Sequence, residues 1–385
     1  MRIGYVCKTN PFTDRKAWSG SIYKIREAIE LAGFEVVWIP YDTSFGINSW
    51  MDKLNSYYWE IRRRMLHKKY LGEVHSKSNV RRYARSIDLA KVNECDYLFF
   101  PGGAQIGLFL DTPVPFIYLA DATVYQMVDY YWFNIDEAAL RMAKSLERKA
   151  AQKSRLNIRG SQWAVDSTIN DCLVDKNKCF VLEFGANIDS KDISPNPFYE
   201  GGRLVVLFSG VDWERKGGTI AVQTVGLLRE KGLDVRLLVV GPRELPQQYK
   251  NVEYIEYFGF LDKNTPEDYK KYIKLCKRSH LFLLPTKAEC AGVVFSESSA
   301  FGMPCYTFAT GGTINYVRSD YNGFAFPIGT SPKVFAEKIY SDIKKGKMKY
   351  YHDNALALYK NRLSWEAWAL RFKNIVDIHL QNVKQ

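Results

Sequence analysis

A chain of 385 residues, 46% of them apolar, is too long for one ordinary core and apolar enough to bury two. Its longest unbroken apolar runs, such as 204–208 and 281–284, are strand-sized, which excludes a membrane-spanning helix. A formal charge of +12 calls for an anionic partner: nucleic acid, an acidic membrane surface or phosphorylated small molecules.

The opening Met-Arg-Ile-Gly-Tyr-Val-Cys reads as a buried strand and lacks the basic stretch, apolar core and small-residue cleavage site of a signal peptide, so a cytoplasmic protein is expected. Strand-like runs follow at 34–40, 97–101, 116–120, 203–209, 235–240 and 281–284, each succeeded by a helical pattern. That alternation predicts an α/β protein with parallel sheets covered by helices. The strands are apolar on nearly every residue, as sheets buried on both faces require. Ligands of such sheets sit at the carboxyl ends of the strands, so the loops just after strands carry the candidate chemistry.

The first such loop, 8–21, holds Trp18, which either stacks on a sugar ring or packs the loop onto the sheet, and Gly20. The stretch 55–90 reads as one helix of mixed basic and aromatic character, Arg62, Arg63, Arg64, Lys68, Lys69, Arg81, Arg82 and Arg85 among its cations. It is either the solvated face of a surface helix or a contact for an anionic membrane at the inner face. After the fourth strand, Asp121 is either a binding group or the N-cap of a helix starting near Ala122. The segment 187–202, rich in Pro, Gly, Ser and Asp, marks a domain boundary. The expected division is an N-terminal domain over 1–190, a C-terminal domain over 191–365, and a final helix over 366–385. Trp365, Trp368, Phe372 and Ile375 share one face at that end and are expected to pack across both domains.

Two loops of the C-terminal half stand out. In Gly210-Val-Asp-Trp-Glu-Arg-Lys-Gly-Gly, the cations Arg215 and Lys216 lie in a glycine-bounded loop ahead of a helix, a setting that suits a diphosphate. In Lys287-Ala-Glu-Cys-Ala-Gly-Val-Val-Phe-Ser-Glu, Glu289 precedes a helix starting near Gly292 and Glu297 lies within it. The amides of Gly292, Val293 and Val294 then face the opening, and two carboxylates can grip vicinal hydroxyls on either side of a phosphate. Taken alone, each loop also has a bland reading as solvated charge and as acids favoured by a helix dipole.

The remaining chemistry is thin. Seven cysteines without a Cys-x-x-Cys pair read as reduced, mostly buried thiols, and the five histidines form no metal-ligand spacing. The chain contains no Asp-x-Asp pair for a metal-bridged diphosphate, so no metal and no cofactor are expected.

The ordered series 210–217, Phe258-Gly-Phe-Leu, 281–286, 289–297 and Gly302-Met-Pro followed by Gly311-Gly312 resembles retaining glycosyltransferase family four, the glycosyl transferases group 1. The resemblance covers 200–365, with weaker echoes at Ser161-Gln-Trp and at Phe184-Gly-Ala-Asn-Ile-Asp. It implies the GT-B fold, two Rossmann-like domains facing each other across a cleft. It also implies a UDP- or GDP-sugar donor, a glycan or lipid-linked acceptor, and no nucleic acid. Lys216, helped by Arg215, would then neutralise the diphosphate. Glu289 would orient the donor sugar, Glu297 would hold the ribose, and Gly259, Phe260 and Leu261 would flank the base. Gly20 would approach the diphosphate from the opposite domain. Two positions depart from the family pattern: Gly210 stands where an arginine is frequent, and Asp121 where a histidine is frequent. A sugar-nucleotide epimerase or phosphorylase of the same fold, a basic nucleic-acid-binding protein, and a member that binds donor without turnover are the competing readings.

Overall fold

The apolar runs do become strands buried on both faces. The computed structural model describes residues 1–46 and 50–380 and contains two six-stranded parallel sheets flanked by helices. The first is built from β1 (Arg2–Val6), β2 (Glu35–Ile39), β3 (Tyr97–Pro101), β4 (Phe116–Ala120), β5 (Leu156–Arg159) and β6 (Cys179–Val181), in the order β2-β1-β3-β4-β5-β6. The second comprises β7 (Leu204–Ser209), β8 (Val235–Val240), β9 (Ile255–Tyr257), β10 (Leu281–Leu284), β11 (Cys305–Phe308) and β12 (Gly323–Phe326), in the order β12-β11-β10-β7-β8-β9. Every residue of β4, β7 and β10 is buried, which is what a parallel sheet covered on both sides demands. All seven strands expected from the sequence are present. The other five, β5, β6, β9, β11 and β12, are each only three or four residues long. β5 further hides its character behind Asn157 and Arg159, both fully buried.

The chain divides into one unit of Met1–Leu182 with Ala369–Gln385 and another of Glu183–Trp368. The division falls ahead of the Pro- and Gly-rich segment because Glu183 already belongs to the second unit, where Arg362 donates to its carboxylate at 2.9 Å and Ala186 N–H donates to the Leu363 carbonyl. At the other end the helix Trp365–His379 starts in the second unit and ends in the first. Its large buried residues are Trp365, Trp368, Phe372 and Val376, with Leu380 just past its end, so Val376 rather than Ile375 continues the apolar face. Trp365 packs near Phe184 within the second unit, and Phe372 meets Phe34 and Phe99 edge-on within the first. Residues 381–385 of the expected final helix lie outside the described residues.

The stretch 55–90 is not one helix. Helix Trp50–Leu66 ends before an irregular segment that Asn134 pins by accepting from Lys69 N–H and donating to the His67 carbonyl; helices Lys77–Arg85 and Leu89–Asn93 follow. Several of its cations are spent on the fold: Arg62 binds Asp136 at 2.8 Å, and Arg82 donates to the carbonyls of Thr43 and Phe45.

Read from β9, the second sheet runs third, second, first, fourth, fifth, sixth in chain order, so successive connections part company between β7 and β10. This reversal opens a crevice at the carboxyl ends of those two strands. Glycines let the surrounding loops close in. Gly217 has φ +76°, and a Cβ there would stand 2.1 Å from the Pro285 carbonyl oxygen at the end of β10. We expect Gly217→Ala to destabilise the protein by roughly 3 kcal/mol or more, through left-handed strain and that clash together. Urea unfolding checks this; a loss below about 1 kcal/mol would mean the two loops do not press together as described.

Candidate functional site

The crevice between β7 and β10 is where the second unit gathers its charged groups. Asp212 caps a single helical turn, Trp213–Lys216, by accepting from Arg215 N–H at 3.0 Å. The expected glycine-bounded loop is therefore a helical turn ended by left-handed Gly217. The turn aims Lys216 across the crevice, where its ammonium donates to Glu289 in the loop after β10. Both side chains are nearly buried, at 11% and 13% exposure, so the pair is held in a medium where charge interactions are strong. Gly210 leaves room for this: a Cβ there would lie 2.7 Å from Lys216 Cγ. A larger residue at 210 would displace the lysine stem, which is a local reason for glycine where the family pattern favours arginine.

Arg215 does a different job from its neighbour. Its guanidinium donates to the Ala288 carbonyl at 3.0 Å, and its own carbonyl accepts from Lys287 N–H at 2.8 Å, so it clamps the loop that carries Glu289. A third loop joins from behind, as Gly312 N–H donates to the Glu289 carbonyl at 2.9 Å. The loops after β7, β10 and β11 are thus tied together around Glu289 and its backbone.

Glu297 lies on helix Val293–Ala300, one per cent exposed. Lys263 donates to both of its oxygens at 2.6 and 2.7 Å, and the Tyr272 hydroxyl donates to one at 2.8 Å. Burial and the neighbouring carboxylate push the Tyr272 phenol well above its ordinary pKa, keeping it a donor. Neither Lys263 nor Tyr272 was singled out from sequence; Lys263, two residues beyond the Phe258-Gly-Phe-Leu motif, was the legible one. At the helix start, Gly292 lies against the Phe295 ring, and the Val293 amide is turned back onto the Ala291 carbonyl at 3.0 Å. That amide does not face the opening as expected, and of the three only those of Gly292 and Val294 keep the expected role open. Gly259, with φ +69°, accepts from Gly241 N–H at 2.8 Å, while Phe260 is half exposed and Leu261 is buried.

The first unit has its own candidate pocket, a cavity of about 230 Å³ beyond β3 and β4. Trp18 and Asp121 line it and are joined by a 3.3 Å bond from the indole N–H. Asp121 is not a helix cap. Thr123 caps helix Val124–Met127 in a capping box with Gln126, leaving the aspartate at the pocket wall. Gly20, with φ +88°, ends the loop after β1 and precedes helix Ser21–Leu31. At the pocket floor lies a buried polar cluster invisible to motif reading. Glu147, one per cent exposed, accepts from Gln105 at 2.7 Å and from Tyr118 at 3.0 Å, and burial raises its carboxyl above the usual range. Gln105 Oε1 and His75 Nδ1, both lacking solvent contact, have no hydrogen-bond partner. The available signal was Glu147 itself, a carboxylate on the face of helix Glu137–Lys153 that buries Ala139, Ala143 and Ala150.

Among the described residues no cluster of three or more His, Cys, Asp and Glu is arranged to hold a metal, and no helix is long and apolar enough to cross a membrane.

Comparison with known proteins accords with this layout. Residues 189–356 match the family described as Glycosyl transferases group 1. The capsular polysaccharide biosynthesis glycosyltransferase CapM of Staphylococcus aureus is 27% identical over 185 residues, 44% of this chain and 47% of the relative, so the match spans under half of either protein. Among solved structures, a glycosyltransferase from Rickettsia africae superposes with a TM-score of 0.65 at 15% identity over 99% of each chain. HepE of Anabaena in complex with UDP superposes with 0.65 at 16% identity, over 98% of this chain and 100% of its own. Sucrose-phosphate synthase of Thermosynechococcus elongatus gives 0.67 at 15% identity over 98% of each chain. At such identities the likeness concerns the fold, which is GT-B with two Rossmann-like units, as the motif series implied.

His75 supplies a pH test of the first pocket. Burial pulls its imidazole from about 6.5 to about 4, although part of the residue reaches solvent. The unfolded chain therefore takes up this proton near pH 6.5 while the folded chain refuses it until about 4, so stability falls as pH drops through that window, by up to about 3 kcal/mol. Chemical unfolding across the window should show a shallower pH slope for His75→Gln than for the unmodified protein; equal slopes would place a solvated imidazole there.

Proposed function

With residues 189–356 matching glycosyl transferases group 1 and the whole chain sharing the GT-B fold, we propose that this protein is a retaining, metal-independent glycosyltransferase. It would move a sugar from a UDP- or GDP-sugar to a glycan or lipid-linked acceptor. The observation that carries the reading is the Lys216–Glu289 pair at the strand reversal, with Glu297 on the next helix. An isolated buried ion pair is a weak stabiliser, whereas one poised in a crevice can exchange partners when a ligand brings matching charge. A diphosphate takes the ammonium, and the freed Glu289 carboxylate accepts from hydroxyls of the donor sugar. Glu297, oriented by Lys263 and Tyr272, takes the ribose hydroxyls. Gly259, Phe260 and Leu261 flank the base.

In the reaction the acceptor oxygen bonds to the anomeric carbon on the face from which the diphosphate departs, and the anomeric carbon–phosphate oxygen bond breaks. The acceptor proton passes to a donor phosphate oxygen. Lys216 stabilises the charge that grows on the leaving diphosphate, a role normally given to preorganised cations. Arg215 acts mainly by holding the Glu289 loop. Asp121, Trp18 and the polar floor of the first pocket are the acceptor side, where an indole face and hydrogen-bonding groups suit a carbohydrate. The UDP bound to HepE is the reason to begin with uridine nucleotides.

Thermal-shift measurements with UDP, GDP, ADP and CMP test the donor site, since ligand binding to the folded state raises apparent stability. One diphosphate should stabilise the protein, less so in Glu297→Gln. Lys216→Ala should lose the shift and lower turnover by about a hundredfold or more. Product anomeric configuration by proton NMR tests retention. No response to any nucleotide, or full activity in Lys216→Ala, would overturn the assignment.

A further inference from the structure

Helix Trp50–Leu66 has two apolar sides: among its described side chains one side is buried in the fold, and the other is exposed, with only Tyr58 at its edge meeting Trp59 edge-on at 5.1 Å. On its inner side Trp59 is buried and stacks on Tyr70 with centroids 4.3 Å apart, while Arg62 is locked to Asp136. Steps of about 100° per residue place Trp50, Leu54, Tyr57, Tyr58, Ile61 and Met65 together in an arc of about 100° on the other side. These six are exposed, Trp50 at 71%, Tyr57 at 69% and Met65 at 74%. Leaving so many large apolar groups in water along one helix is costly unless something covers them, and scattered surface hydrophobics do not account for a continuous stripe.

The flanks of the stripe indicate what covers it. Lys53 and Arg64 border it along one edge, Arg64 pairing with Glu60 at 2.8 Å while its side chain stays largely exposed. Residues 50–85 carry ten Lys and Arg against three Asp and Glu, a net of +7 out of the chain's +12, and of the ten Arg62 and Arg82 are committed within the fold. Aromatic side chains flanked by cations, on a helix lying along a surface, match the interface of an anionic bilayer: rings and aliphatic groups enter the headgroup boundary and the cations meet lipid phosphates. A second copy of this chain would bring an equally basic surface against this one, which charge opposes. We propose that helix Trp50–Leu66 is a docking surface for an anionic lipid membrane, with the Trp50–Met65 stripe inserted in the plane of the interface. The inference stands apart from the donor assignment and survives its failure.

Co-sedimentation with vesicles of phosphatidylcholine alone and of phosphatidylcholine mixed with phosphatidylglycerol tests it. The protein should bind the anionic vesicles at least about tenfold more tightly, with binding weakened by salt. Replacing Trp50 and Ile61 together by serine should cut that affinity by roughly tenfold or more while leaving the thermal midpoint and nucleotide shifts unchanged. Lys53→Glu with Arg64→Glu should remove the preference for anionic lipid. Equal binding by the serine variant, or no binding to anionic vesicles, would overturn the proposal. So would self-association in sedimentation velocity that the serine variant abolishes, which would assign the stripe to a second copy.

Discussion

The contact between the loops after β7 and β10 is the constraint on which the candidate donor site depends. Parallel strands point all their carboxyl ends the same way, but only where the connections reverse do two neighbouring ends lack a helix crossing between them. Here the backbone nearly closes that gap, with Gly217 against the Pro285 carbonyl; on the other side of β7, a Cβ on Gly241, just after β8, would lie 2.7 Å from the backbone of Gly210. A side chain at Gly217 would separate the loops, and Lys216 would no longer reach Glu289. The charged pair is thus a consequence of glycine placement as much as of its own two residues.

Desolvation sharpens the pair's chemistry. A nearly buried ammonium and carboxylate gain from each other only by giving up water, so either is left poorly satisfied if its partner is removed. A ligand offering an anionic diphosphate and hydroxyl donors satisfies both at once, whereas a simple anion would satisfy the lysine and strand the glutamate. That asymmetry favours a sugar nucleotide over free phosphate. The same logic runs through Glu297, whose oxygens are already engaged by Lys263 and Tyr272. In the proposed donor site it is a preset acceptor, aligned before any hydroxyl arrives.

How much of this was legible in the sequence follows the physics of each residue. The seven expected strands were readable because apolar runs of four to six residues bounded by turns have no other home, and Glu289, Glu297, Lys216 and Arg215 were readable because each lies between a strand and the helix that follows it or within that helix. Arg215 shows the limit of such reading. Residue type and position flagged it beside Lys216, but only geometry reveals that it binds the Ala288 carbonyl. Asp121 shows it from the other side, since the sequence allowed a cap or a binding group and the cap proved to be Thr123. The cluster of Glu147, Gln105 and His75 was illegible because its members come from a helix, a turn and a loop far apart in the chain, with no common spacing.

The basic stretch at 55–90 shows why composition alone misdirects. Counting cations there draws attention to Arg62 and Arg82, yet those two are committed to Asp136 and to backbone carbonyls and hold the segment in place. What distinguishes helix Trp50–Leu66 is instead its apolar residues, which recur at helical spacing on the side away from Trp59. Ordinary surface helices spend one apolar stripe on the core and show polar groups to water. A helix anchored on one side by a buried tryptophan and an ion pair has no need of a second stripe for folding. The second stripe therefore carries information about surroundings rather than stability, and its cationic borders restrict those surroundings to something negatively charged.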